Sequence, residues 1–273
     1  MMKSNLIKIQ FCFPPIFDSI KNKQEFARLL LNYLQKNRSI KYTGYLKSED
    51  LYDSLWKIVG NIDINKYKRP DATQRSQIEK VIYSTIQKCY KELPLPSQPL
   101  FVFVFPWFPG KHSDAFEGIM GIAPYYTTFH LFIATNKFSK TALVNATAHE
   151  LNHTVFHYYH YQNLEKYTLL DYLVFEGLAE NFREEAVGGQ SPPWAVALTR
   201  KEARNIFQSL QPHLGSKSLR LYKEIFFGSK KYKRWTGYST GYWLIKDFRK
   251  RHPKLSWQEI MQMKTEDILG LTV

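Results

Sequence analysis

An α+β fold is predicted for this sequence, on three observations. Apolar residues recur at helical spacing before residue 94. Two unbroken apolar runs then follow, "LFVFVF" at 100–105 and "FHLFIAT" at 129–135. From about residue 140 onward the helical period returns and holds to the C-terminal end. A chain that passes from helices to strands and back to helices segregates the two, which is the α+β pattern.

In chain order, residues 16–60 are expected to be helical, with Phe26, Leu29, Leu30 and Tyr33 on one face. Residues 71–93 carry a stronger signal. Asp71 is a plausible cap, and Ile78, Val81, Ile82, Ile86 and Tyr90 form one stripe. The "LPLPSQP" stretch then marks a boundary between an N-terminal helical region, 1–95, and a second region, 96–273, read as one compact unit. The run at 100–105, closed by Pro106, reads as a buried strand, and 129–135 as another. The residues between them, "PWFPGKHSDAFEGIMGIAPYY", read as a loop or irregular hairpin. A helix is expected from about 140 to 160, with Val144, Ala148, Leu151, Val155 and Tyr158 on one face. A second, from 171 to 187, stops at Gly188-Gly189. The C-terminal third is helical, with breaks at Pro212 and Pro253.

Composition narrows the function. Apolar residues are 44% of the 273 and aromatics 16%, enough for a sizeable core. The formal charge of +14 invites an acidic partner, an anionic membrane surface or nucleic acid. The basic residues are scattered, however, and the densest group, "GSKKYKR" at 228–234, is too short to specify a nucleic-acid module. Two cysteines, Cys12 and Cys89, exclude a disulfide framework and suit a reducing compartment, so a cytoplasmic location is expected. Lys8, Gln10 and Pro14-Pro15 interrupt any secretory signal, and no apolar stretch has the length of a transmembrane helix. Two glycosylation sequons, at Asn145 and Asn152, fall inside the histidine-rich segment and are read as chance.

That segment, "TAHELNHTVFHYYHY", is where the chemistry concentrates. His149 and His153 are four apart, so on a helix they project from one face and can chelate one ion. Glu150 stands between them in a His-Glu-x-x-His pattern, placed to act as general base on water. His157 continues the series but lies roughly 12 Å along the axis from His149, too far to share its ion. His160 is out of register for a third ligand, and both are read as structural. A catalytic zinc usually takes three protein ligands, so one more must come from elsewhere. Glu176 and Glu180 in "FEGLAENF" are the best candidates, again four apart on a helix. The plain alternative is that Glu176, Glu180 and Glu184 form a solvated charged stripe. Gly177 argues otherwise, because a glycine inside a helix costs about 1 kcal/mol against alanine and implies that something approaches closely there.

"HELNH" followed by "EGLAE" resembles the gluzincin metallopeptidases, in which a second helix supplies a glutamate ligand. The whole arrangement is most similar to the YjaZ-like group of zinc-dependent proteases, including a Gly-Tyr-x-x-Gly-Tyr segment matched by "GYSTGY" at 237–242. The resemblance spans roughly residues 100–250. It implies a zincin-like fold, with a small mixed sheet packed on the histidine-bearing helix and a mainly helical C-terminal part. It makes His149, His153 and Glu176 the ligands of a zinc ion and Glu150 the base. Glu180 would accept a hydrogen bond from the far nitrogen of a ligand histidine, although the two glutamates can exchange these roles. Amide hydrolysis also needs a donor for the developing oxyanion, and Tyr238 and Tyr242 are equal candidates. Zincins place an edge strand just before the active helix; the "TTFHLFIAT" strand would hold that position and pair with an extended peptide, with His130 an ordinary strand residue.

The expected function is therefore a zinc-dependent peptidase acting on a peptide or protein. The alternative is a catalytically inactive zincin-like protein that binds metal as a sensor or binding module. A nucleic-acid role is the weakest reading, and the positive charge leaves room for weak contact with a membrane surface.

Overall fold

The computed structural model describes residues 6–12, 69–94, 99–107, 116–134, 138–160 and 167–270, together with residues 25, 28, 29 and 32. Those last four are helical, and the rest of the helical expectation for 16–60 lies outside the described residues. The chain divides into two compact units: Met1–Lys91 with Leu95–Thr154, and Glu92–Pro94 with Val155–Val273.

The first unit is built on a four-stranded mixed sheet. Strands β1 (Ile7–Phe11), β2 (Leu100–Pro106), β3 (Ile119–Tyr125) and β4 (Thr128–Ile133) lie in the order β1-β2-β4-β3. The β1–β2 and β2–β4 pairs are parallel, and the β3–β4 pair is antiparallel. β2 sits between two parallel neighbours, and Val102, Phe103, Val104 and Phe105 are buried in succession, as the unbroken apolar run requires. Phe103 and Phe105 stack edge-on against His130 of β4, which is 3% exposed.

Two expectations are corrected here. The stretch read as a loop or irregular hairpin contains a full strand, β3, whose pattern is masked by Gly121 and Pro124. The strand assigned to the sheet edge, β4, is interior, because β3 turns back and pairs along its outer side. Among the described strands, the edges are β1 and β3.

Helix α1 (Ala72–Cys89) begins at a capping box. Asp71 accepts from the Gln74 amide at 2.8 Å, and the Gln74 side chain accepts from the Asp71 amide at 3.1 Å. Ile78, Ile82 and Ile86 are its buried stripe. Helix α2 (Lys140–His160) starts where Ser139 Oγ accepts from the Ala142 amide, and the boundary between the two units falls within it.

The second unit is helical. Helix α3 (Leu169–Val187) is capped by Thr168 and Asp171 and ends at Gly188, whose φ of 81° suits a residue without Cβ. After it come α4 (Arg200–Leu210), a 3-10 turn at Gln211–His213, α5 (Leu219–Phe227), α6 (Thr236–Arg251), α7 (Trp257–Gln262) and α8 (Thr265–Leu269). Helices α3 and α6 form the centre of this unit. A Cβ on Gly177 would strike the Gly241 carbonyl, and one on Gly241 would strike the Leu173 carbonyl, so two helical backbones meet where neither residue has a side chain. The close approach inferred from Gly177 is thus an approach by α6. No helix among the described residues is long and apolar enough to cross a membrane.

Candidate metal centre

Helix α2 is unusual for the continuity of its burial. From Glu150 to His157 every residue is buried, including Asn152, His153 and Thr154. An amphipathic surface helix would expose about half of that stretch. Polar side chains held in such a helix need partners or a purpose. His149 and His153 have rings 4.4 Å apart and nearly perpendicular, as their four-residue spacing on one face demands.

Glu150 is 5% exposed and lies against β3. A Cβ placed on Gly121 would fall on the Glu150 side chain, so the carboxylate occupies space that any other residue at 121 would claim. This makes Gly121 a determinant of the Glu150 position that the sequence reading passed over.

On α3 the glutamates have three different environments. Glu176 is 8% exposed, Glu180 1%, and Glu184 is half-buried, which rules out a solvated stripe. One nitrogen from each of His149 and His153 and one carboxylate oxygen of Glu176 lie within 4.8 Å of one another. Two imidazole nitrogens and a carboxylate oxygen are a zinc donor set, and ligand atoms around a tetrahedral zinc stand about 3.3 Å apart. The group is close to that size, so these three residues can hold a metal ion.

Glu180 is tied down from two sides. Trp194 donates from Nε1 to Oε1 at 2.6 Å, and Arg183, itself 2% exposed, donates from Nε to Oε2 at 3.1 Å. The Arg183 guanidinium also reaches the carbonyls of Gly188 and Gln190. One buried ion pair therefore fastens the loop after α3 back onto the helix that bears Glu176. Neither Arg183 nor Trp194 was singled out from sequence. Arg183 was legible as the (i, i+3) partner of Glu180, whereas Trp194 comes from a loop whose path no local pattern gives.

The two tyrosines differ. Tyr242 is 3% exposed, and its hydroxyl donates to Glu184 Oε2 at 2.9 Å and lies 2.9 Å from Ser191 Oγ. Burial, together with the Glu184 charge, raises its pKa against the opposing bond from Ser191. Glu184 also accepts from Lys246 at 2.7 Å. Burial opposes the Glu184 charge, but the Lys246 and Tyr242 hydrogen bonds outweigh it and hold its pKa below the usual carboxylate range. Tyr238 is half-buried, with its ring edge-on to Phe226 at 5.1 Å. Tyr222 of α5 packs on Phe226 and Tyr172, and burial and the charge of Glu176 both push its pKa up.

The remaining histidines of the segment have structural partners. His157 Nδ1 meets the Tyr167 hydroxyl at 2.9 Å, and His160 Nε2 lies 3.0 Å from the Met261 carbonyl.

No curated protein and no solved structure matches the chain. A family model does match, over residues 78–270, and that span takes in α2, α3 and every residue of the candidate centre. The chain belongs to the family described as "Predicted Zn-dependent protease (DUF2268)".

Proposed function

We propose that this protein is a zinc peptidase in which His149, His153 and Glu176 hold the metal and Glu150 is the general base. The observation that carries the reading is the gathering of three ligand atoms of the right chemistry on two buried helices, with Glu150 between the two histidines in sequence. Zinc held there supplies a Lewis acid that polarises the substrate carbonyl and makes water acidic enough to ionise near neutral pH. Glu150 takes the proton from the attacking water and delivers it to the leaving amide nitrogen. Its burial against β3 keeps the carboxylate in one orientation, so little motion precedes proton transfer.

Glu180 keeps lone pairs beyond those used by Trp194 and Arg183, since an ionised carboxylate has about four acceptor sites. It accepts the outer N–H of a ligand histidine and fixes that ring's tautomer. Of the two tyrosines, Tyr238 is the oxyanion donor, because Tyr242 already donates its proton to Glu184. The edge that pairs with an extended peptide is β3, which runs past Glu150 at Gly121.

The test is metal content by elemental mass spectrometry alongside hydrolysis of an unstructured protein substrate. Wild type should carry about one zinc per chain. Glu176→Ala should lose it and His157→Ala should retain it. Glu150→Gln should keep zinc and lose hydrolysis by a factor of about 10² to 10⁴. Wild type without zinc, or hydrolysis undiminished in Glu150→Gln, would sink the reading. Zinc without hydrolysis in wild type would favour a metal-binding sensor.

A further inference from the structure

Only three large apolar side chains are well exposed among the described residues, and two of them, Leu219 at 56% and Phe227 at 53%, are on α5. With Lys223 they form an i, i+4, i+8 line, so they cover about 80° of arc and about 12 Å of the outer face. Ile225 on the opposite face and Phe226 on the flank beside Leu219 are both fully buried, so α5 is anchored to the rest of its unit. The charges around that line are one-sided. Lys223 lies in the line itself, and Lys217 and Lys230 flank the helix in sequence. All three are exposed and have no acidic partner among the described residues, and Lys231 stands over the Tyr232 ring. Glu224 is the lone acid of the helix and is paired with Arg220.

We infer that the outer face of α5, with Leu219 and Phe227 set among Lys217, Lys223 and Lys230, docks the protein on an anionic lipid surface. The charge pattern requires an anionic partner, and the two apolar tips require that the same partner offer an apolar phase. A bilayer rich in acidic headgroups presents both in one plane. A convex helix face fits a plane, whereas an acidic peptide or a nucleic acid gives the half-exposed leucine nothing to enter. The inference does not depend on the peptidase reading, because none of these residues belongs to the candidate metal centre.

The experiment is co-sedimentation of the full chain with phosphatidylcholine vesicles, with and without phosphatidylglycerol, at low and raised salt. Wild type should bind the phosphatidylglycerol vesicles, bind pure phosphatidylcholine far more weakly, and release as salt rises. Leu219→Ser with Phe227→Ser should weaken binding about tenfold. Removal of each lysine charge should weaken it roughly fivefold. Circular dichroism and zinc content should not change in any of these surface variants. No binding to acidic vesicles at low salt would overturn the proposal. So would equal vesicle binding by the double serine variant, and so would duplex DNA competing the protein off the vesicles with that variant unaffected.

Discussion

Helices α3 and α5 depart from the usual distribution of side chains in opposite ways. On α3, two carboxylates and an arginine are buried to 8%, 1% and 2% exposure. On α5, a leucine and a phenylalanine stay more than half exposed. Burying charge is costly unless every group is paired, and leaving a large apolar side chain in water forfeits the stabilisation that burial would give. Packing alone favours neither arrangement, and each is a pointer to use. The two departures therefore separate chemistry from docking: polar groups held inside mark the candidate metal centre, and apolar groups held outside mark the contact face.

The sharpest way to break the comparison is at the buried pair. Arg183→Ala should leave Glu180 charged and short of a partner and cost about 3–5 kcal/mol in urea unfolding. Restoring neutrality with Glu180→Leu and Arg183→Met together should recover much of that stability while weakening zinc binding about 10- to 100-fold. If the double variant binds zinc as wild type does, Glu180 serves only the loop.

Next in size is the helix crossing. Gly177→Ala should force α3 and α6 apart at a point where backbone meets backbone, costing about 1–3 kcal/mol by thermal or chemical unfolding. An unchanged stability would mean that the crossing yields easily and that α3 is less rigid than its burial implies.

His130 tests what happens when a buried polar group has no charged partner. Burial lowers its pKa from 6.5 to about 3. The unfolded chain thus takes up the proton first, and the stability present above pH 6.5 declines as pH falls towards 3. At pH 5 this histidine alone should account for about 2 kcal/mol of lost stability. His130→Phe should remove that share of the pH dependence, and an identical pH profile in the variant would disprove it.

The smallest effect belongs to α5. Phe227→Ser should alter folding stability by no more than about 0.5 kcal/mol, because the side chain is already in water. A larger loss would mean that Phe227 is part of the core after all.

What could be read in advance follows the range over which each signal acts. That His149 shares a helix face with His153, and Glu176 with Glu180, was legible because a four-residue spacing is local: it states which side chains share a face without any knowledge of the fold. The helices from 72 to 89, 140 to 160 and 169 to 187 were legible for the same reason, with capping residues at Asp71 and Gly188 marking ends. Strand order was not, since the interior place of β4 depends on β3 folding back, and the glycine and proline of β3 disguise its alternation. Strand β1 carries five residues whose pairing partner lies about ninety positions away in the chain, a relation that periodicity does not contain. Nor did spacing separate Tyr238 from Tyr242. Their environments differ in the fold, where the Tyr242 hydroxyl donates a hydrogen bond to Glu184 and the Tyr238 ring packs edge-on to Phe226.

The parallel pairing of β1 with β2 bears on how the protein can be dissected. Ile7 to Phe11 register against Leu100 to Val104, yet they lie well before residue 78, where the family match begins. A fragment trimmed to the matched span would keep every residue of the candidate centre and still lose the outer strand of its sheet. The backbone of β2, in the most apolar run of the chain, would then stand open along one side. Such an edge recruits further strands from other copies, so the trimmed fragment should self-associate more readily than the whole chain.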